Sequence, residues 1–389
     1  MNKKISSLAA FLVLVTVASW AIAPATENGR ETNAKRVVDA AVGPVMKKNR
    51  IAGMAVGLAV GGKAYVFNYG LASRQPAKPV TDRTLFEIGS VSKTFAATLA
   101  SYAQVAGFLS LDDPVGKFVP SLRGSAFGKV TVLELATHTP GGLPLQVPDS
   151  VHNDAELIQY LKDWSPSCPP ATCRTYSNVS AGMLGLVAAA SMHRDFAALV
   201  QDRLFSGLGM TGSYIHVPIA EMPVYAQGYT SNGVPIRVRP GVLADEAYGV
   251  RTTAADLIRF VEANIGEISV EPRLARAIAG THVGYFRAGV LTQDMIWEQY
   301  SYPVAPGTLQ AGNGPRMLFE SVPATRIVPP EGPRDDVWID KTGTTNGFGT
   351  YVAFVPAKRM GIVILANQSY PIKERVALAY RILSQLGGM

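Results

Sequence analysis

The apolar residues are spaced like strands at the two ends of the chain and like helices in between. Within residues 31–49, Val37, Val38, Ala41, Val42, Val45 and Met46 recur at three- and four-residue intervals against a charged opposite face, which predicts an amphipathic helix. Gly53–Val60 and residues 63–71 then read as two strands joined by Gly61-Gly62, a pair suited to a tight hairpin turn. Near the other end, 337–341, 350–356 and 361–366 are rich in Val, Ile, Tyr and Phe and predict three more strands. A helix over 373–386 follows, with Val376, Leu378, Ala379 and Ile382 on its apolar side. Between about 105 and 310 the runs 132–137, 155–163, 181–192, 196–204 and 254–265 have helical spacing. The economical topology is one antiparallel sheet built from both ends, with a mostly helical insertion. No internal repeat is visible.

The first residues belong to a different category. Lys3 and Lys4 precede an apolar stretch over 5–22, and small residues follow at Ala21, Ala23 and Ala25. That order reads as a secretory signal cut after Ala23, or after Ala25 if Ala23-Pro24-Ala25 is the small-x-small triplet; the competing reading is an uncleaved anchor. No later run of eighteen apolar residues predicts a second span, so a protein free of the membrane after signal removal is expected, in the periplasm. The expected division is 1–25 signal, 26–105 with 310–389 a discontinuous α/β domain, and 106–309 a mostly helical domain.

Composition narrows the partners. The chain is 48% hydrophobic and 17% charged over 389 residues, which excludes a disordered chain. Its net charge of +7 falls to +5 when residues 1–25, with two lysines and no acid, are removed. Arg123, Arg237 and Arg239 are scattered and form no dense basic cluster, so nucleic acid is not expected as a partner. The five histidines (138, 152, 193, 216 and 282) show no ligand spacing, and no metal or cofactor is expected. With no exposed apolar stripe legible, a monomer is expected.

Three short motifs carry chemistry. Ser90-Val91-Ser92-Lys93 is an S-x-x-K at the start of an apolar run, so Lys93 shares a helix face with Ser90. A serine hydroxyl needs a base before it attacks, and an adjacent lysine can supply one; taken alone, Ser90 is equally a helix cap. Tyr176-Ser177-Asn178 precedes the helical run after residue 180. A tyrosine acts as a base where nearby cations lower its pKa, and an asparagine both donates and accepts, although Tyr176 could be a loop residue and Asn178 a cap. Lys341-Thr342-Gly343 ends a predicted strand, where Gly343 would let a substrate approach the backbone and Lys341 adds a fixed charge. Each motif is common. Their order is not, and it parallels the S-x-x-K, S-D-N and K-T-G set of class A β-lactamases and penicillin-binding proteins.

With Tyr-x-Asn in place of S-D-N, the chain resembles the class C (AmpC-type) serine β-lactamases. The resemblance runs through Phe86 to Phe95, His138 to Gln146, Ala247-Tyr248-Gly249-Val250, Lys341 to Phe354, Leu365-Ala366-Asn367 and Tyr370-Pro371. It implies an α/β domain with an antiparallel sheet flanked by helices, packed on an all-helical domain, with a cleft between them. It also implies hydrolysis of cephalosporins and penicillins, small β-lactam molecules, with Ser90 as nucleophile, Lys93 and Tyr176 sharing the base, and Lys341 poising Tyr176. The backbone N–H groups of Ser90 and Thr344 would form the oxyanion hole. Gln146 and Asn178 would hold the substrate's amide and Tyr248 would form a wall. Thr342, Gly343, Asn346 and Arg375 complete the implied binding set, and Arg174 also matches a family position.

Some positions depart from that pattern. Asp340 stands where an uncharged residue or His is expected; strand alternation turns it to the face opposite Lys341. Ser369 and Ile372 replace asparagines that many members place near the substrate carboxylate. Cys168 and Cys173 are an unexpected pair beside Tyr176; in an exported protein they form a disulfide, or else remain two thiols without a role. A D-alanyl-D-alanine carboxypeptidase or esterase of the same fold, and a penicillin binder that acylates without turnover, remain as alternatives.

Overall fold

The computed structural model describes residues 27–387; the predicted signal and both cleavage points lie outside the described residues. The first helix, Glu27–Asn49, buries Val37, Val38, Ala41, Val42 and Val45 on the predicted stripe. The hairpin follows, with strands Gly53–Val60 and Lys63–Arg74 and a turn in which Gly61 and Gly62 both have positive φ (59° and 78°).

Among the described residues the largest sheet has eleven strands, each antiparallel to its neighbours. In spatial order these are Ala77–Pro79, Lys63–Arg74, Gly53–Val60, Met360–Ala366, Gly349–Val355, Val337–Thr344, Glu298–Ser301, Leu291–Gln293, Gly284–Ala288, Ser321–Glu331 and Cys173–Thr175. Met360–Ala366 sits beside Gly53–Val60 in a register from Met54 opposite Ala366 to Val60 opposite Met360, so the two chain ends meet mid-sheet.

Alternation along these strands separates two apolar layers. Val56, Leu58, Trp338, Tyr351, Ile362 and Ile364 face the first helix and the last, Ile372–Gly387. Val337, Ile339, Val352, Phe354, Val363 and Leu365 face the helices Ser92–Val105, Asn178–Ser191 and Ala254–Asn264. The predicted helices 132–137, 155–163 and 254–265 are present as Val132–Ala136, Asp154–Asp163 and Ala254–Asn264. The run 196–204 continues through a widened π-type segment, Val200–Phe205, to Leu208 and stops at Gly209, φ 68°.

The sheet differs from expectation in where its strands come from. Gly284–Ala288, Leu291–Gln293 and Glu298–Ser301 lie within the stretch read as helical, and all join the large sheet. Their period-two signal is masked because Gln293, Glu298 and Gln299 are buried polar residues. Ser321–Glu331 is mostly exposed, so it too lacks an apolar alternation. Among the described residues no single helix is long and apolar enough to cross a membrane.

Candidate active site

Ser90 lies in a short 3-10 turn, Gly89–Val91, that leads directly into the helix Ser92–Val105. Two glycines bring this turn onto the Lys341 strand. Gly89 has φ 52°, and a Cβ there would stand 2.6 Å from the Thr344 nitrogen; a Cβ on Gly343 would stand 1.9 Å from the Ile88 carbonyl oxygen. The space beside Gly343 is therefore filled by the chain's own backbone, not left for a substrate as expected. The consequence is that Ser90 and Thr344 are held side by side by direct backbone contact.

The helix that follows the turn has no side-chain cap, so Ser90 is not its capping residue. The Ser90 hydroxyl is instead occupied by Lys93, three residues on: Lys93 Nζ donates to Ser90 Oγ (2.8 Å) and to the Ala247 carbonyl (2.8 Å). Lys93 is fully buried. Burial lowers its pKa, Tyr176 opposes the shift and Lys341 adds to it, leaving the amine at about 8.

Tyr176 emerges from the edge strand Cys173–Thr175. The residue after it, Ser177, caps the helix Asn178–Ser191 by accepting from the Ser180 N–H at 3.1 Å, so the cap is Ser177 and Asn178 is left free for other contacts. The Tyr176 ring is 4% exposed, with Lys341 Nζ 4.9 Å, Lys93 Nζ 5.4 Å and the Arg174 guanidinium 5.7 Å from its centroid. Burial raises the phenol pKa, but Lys341, then Lys93 and a hydrogen bond with Ser90 outweigh it and bring it down to about 8. His138, in the left-handed region at φ 58°, packs against the same ring at 4.7 Å, tilted by 49°. Burial and then the charges of Arg174, Lys93 and Lys341 hold its pKa well down, so it is a neutral packing surface.

Lys341 is buried, and its pKa is raised: burial lowers it, but Glu298 and Tyr176 more than compensate. It is the fixed cation of the cluster. Arg174 ties the tyrosine to the sheet, donating to Gln293 Oε1 (2.5 Å), Glu298 Oε1 (2.7 Å) and the Met317 carbonyl (2.8 Å). Glu298 and Gln293 are site residues that the sequence did not reveal. Each is a single polar residue more than a hundred positions from Tyr176, and only the register of the sheet brings it there.

Asn178 Nδ2 donates to Gln146 Oε1 at 2.6 Å, and Asn178 Oδ1 is buried without a partner among the described residues. Gln146, Asn178, Leu243 and Tyr248 line a cavity of about 220 Å³. Tyr248 ends the short helix Ala244–Tyr248, whose Ala247 carbonyl holds Lys93. Thr342 is half-buried, and Thr344 and Asn346 are exposed. Arg375 is 1% exposed, and its guanidinium donates to the Gly343 carbonyl (2.6 Å), to Thr344 Oγ1 (2.8 Å) and to the Tyr370 carbonyl. It braces the strand from behind. Ser369 and Ile372 line, with Thr344, Phe319 and Tyr370, a cavity of about 580 Å³.

Cys168 and Cys173 are joined in a disulfide, Cα to Cα 6.5 Å. The loop they close packs on the His138–Gly142 turn, with Ala171 N–H donating to Thr139 O (2.9 Å), and Ser167, just before the loop, donates its N–H to Gly141 O (2.8 Å). Asp340 points to the far face of its strand, where the Tyr351 hydroxyl (2.6 Å) and Asn313 Nδ2 (3.1 Å) donate to its Oδ2.

The Beta-lactamase family model matches residues 38–387. A beta-lactamase of Lysobacter lactamgenus is 49% identical over 352 residues, covering 90% of this chain and 91% of its own length. Among solved structures, a D-alanine carboxypeptidase AmpC from Burkholderia cenocepacia is 58% identical with a TM-score of 0.88, covering 91% of this chain and 99% of that one. A class C beta-lactamase in complex with cefoxitin is 50% identical with a TM-score of 0.89, at the same coverage.

Proposed function

We propose a mechanism from the premise that this chain belongs to the beta-lactamase family, as a class C serine enzyme that hydrolyses the β-lactam amide of cephalosporins and penicillins. Ser90 Oγ attacks the lactam carbonyl and passes its proton to the Lys93–Tyr176 pair. The backbone N–H groups of Ser90 and Thr344 hold the oxyanion, each worth ~3 kcal/mol. The carbonyl–nitrogen bond breaks, the ring nitrogen takes the proton back from the pair, and an ester on Ser90 remains. Water then attacks that ester with the same pair as base, the pair returns the proton to the departing Ser90 Oγ, and the opened acid leaves. Lys341 stays cationic throughout, keeps Tyr176 acidic and faces the substrate's carboxylate together with Thr342, Thr344 and Asn346. Gln146 and Asn178 receive the side-chain amide, and Tyr248 walls it. Arg375 acts through the Thr344 hydroxyl and the Gly343 carbonyl.

The observation that carries this reading is the 2.8 Å contact between Lys93 Nζ and Ser90 Oγ beside a tyrosine brought to about 8. Ser90, Lys93 and Lys341 come from the large sheet and the helix packed on it, Tyr176 from the end of the sheet's edge strand, and Gln146, Asn178 and Tyr248 from the helical insertion, so the cleft lies where the insertion meets the sheet. Export to the periplasm through the N-terminal signal and a monomeric state complete the proposal.

A second reading, D-alanyl-D-alanine carboxypeptidase activity, is favoured by the 58% identical Burkholderia protein. Purified protein incubated with a chromogenic cephalosporin and, separately, with a D-Ala-D-Ala peptide distinguishes the two. Many turnovers of the cephalosporin are expected. A single stoichiometric burst, or peptide cleavage alone, would overturn the hydrolase reading.

A further inference from the structure

Asp340 stands one residue before Lys341 and on the opposite face of the same strand. Its cross-strand partner in the neighbouring strand is Glu298, so two buried carboxylates share one face of adjacent strands. Glu298 is paired with Arg174 (2.7 Å). Among the described residues Asp340 has no cation of its own on that face: Oδ2 accepts from Tyr351 and Asn313, and Oδ1 is buried with no partner. The surrounding groups are Glu298 and Tyr300 from one strand, Tyr351 from another, Asn313 after the helix Pro306–Gly312, and Lys341 through the strand itself.

A second carboxylate charge beside Glu298 is disfavoured, so Asp340 takes up a proton more readily than an ordinary carboxyl. Burial and then the Glu298 charge push its pKa up, against the Tyr351 and Asn313 hydrogen bonds and Lys341. Whichever state it is in is felt across the strand, because Lys341 is stabilised as a cation by Asp340 as well as by Glu298 and Tyr176. The groups that meet this field are Tyr176, Lys93, Lys341 and the neutral His138 on the cleft side, and Arg174, which pairs with Glu298 and lies beside the Tyr176 ring.

We propose that Asp340 is a positioning residue for the reaction: from the rear face of the Lys341 strand, its protonation sets the potential in which Lys341 and Tyr176 work. The inference rests on the hydrolase reading given above. While Asp340 holds its proton, Lys341 and Lys93 pull hardest on the Tyr176 phenol. As Asp340 ionises, the added negative charge raises the phenol and the Lys341 ammonium together. The wild-type acid limb of activity is then spread over two coupled ionisations.

The test compares wild type with Asp340→Asn, which keeps an oxygen for the Tyr351 hydroxyl, and with Tyr351→Phe, which removes one group that favours ionised Asp340. In kcat/KM against pH on a chromogenic cephalosporin, Asp340→Asn is expected to narrow the limb to one ionisation and move it down by about half a pH unit. Tyr351→Phe should move it the same way by less. Limbs that superimpose on wild type in both variants would overturn the proposal.

Urea unfolding from pH 5 to 8 gives a reading independent of catalysis. A carboxyl whose pKa is raised by folding contributes stability below its unfolded pKa and loses it as pH rises through the folded value. The Asp340→Asn midpoint should therefore gain on wild type as pH rises. A constant difference between the two would count against the proposal. Absence of cephalosporin turnover in wild type would sink the hydrolase reading instead, and the unfolding series would still report on Asp340.

Discussion

On the cleft face of the Val337–Thr344 strand, Lys341 shares a buried space with Lys93 and Tyr176; on the other face, Asp340 shares one with Glu298, Tyr300 and Tyr351. The first group is crowded with cations. There, burial and then the Lys341 charge lower Lys93, while the two lysines lower Tyr176 against burial, so both end near 8 and a proton moves between them at little cost. In the second group burial first, and then the neighbouring acids, push Asp340, Tyr300 and Tyr351 up, so the two phenols keep their protons and Asp340 ionises later than an ordinary carboxyl. Burial is equally deep on both sides. Neighbouring charge decides which face handles the reacting proton and which one only sets the field behind it.

Substitutions on the cleft face should then alter rate and spare stability, whereas those behind the strand should act on stability and reach the rate only through its pH dependence. Ser90→Ala, the largest effect, should lower kcat by more than about 10⁴-fold and abolish the acyl-enzyme seen by intact mass, with the melting temperature kept. Cephalosporin turnover close to wild type would remove Ser90 as nucleophile. Tyr176→Phe keeps the ring between His138 and the lysines but not its proton, and should cost about 10³-fold in kcat. A tenfold loss or less would shift the base role to Lys93 alone.

Gly343→Ala tests the strand that separates the faces. Its new methyl meets the Ile88 carbonyl, so a loss of about 3 kcal/mol in urea unfolding is expected, with activity falling too. Unchanged stability would show that the turn and the strand are not in backbone contact. Lys341→Met removes the largest of the charges that lower Tyr176, so the phenol should return toward its ordinary value near 10. The base must be unprotonated to act, so the acid limb of kcat/KM should rise by about one pH unit, close to tenfold at pH 7. A limb unmoved by this variant would break the contrast between the faces. The smallest effect belongs to the rear layer: Lys48→Ala opens an exposed ion pair with Glu374 and should change stability by no more than about 0.5 kcal/mol, with kcat unaltered.

The contrast was only partly legible beforehand. The end strands and the two terminal helices could be read because apolar alternation and helical stripes are strong where one face is buried. The same alternation put Asp340 opposite Lys341, where the structure has it. Ser90, Lys93 and Lys341 were found by motif spacing, since chemistry that needs i and i+3 on a helix leaves a local trace. The strands over 284–301 left none: Gln293, Glu298 and Gln299 are buried because Arg174 and the sheet supply partners, and such pairing has no sequence period. Gly343 was read as room for a substrate because a glycine shows only that something comes close, not whether it is ligand or backbone. The Ser177 cap was missed in favour of Asn178 because both residue types cap helices equally well.

The strand Met360–Ala366 has a bearing on how the molecule is made. It lies between Gly53–Val60 and Gly349–Val355, and all three are apolar along nearly their whole length. A chain ending before Met360 would leave both neighbours as open, greasy edges, a template for association with other copies. The hairpin at the beginning must therefore wait, unpaired on one side, until almost the last residues are available. Closure of so distant a pairing is slow. Aggregation thus competes with folding for as long as the chain's end is missing, which makes late truncations more damaging than their length suggests.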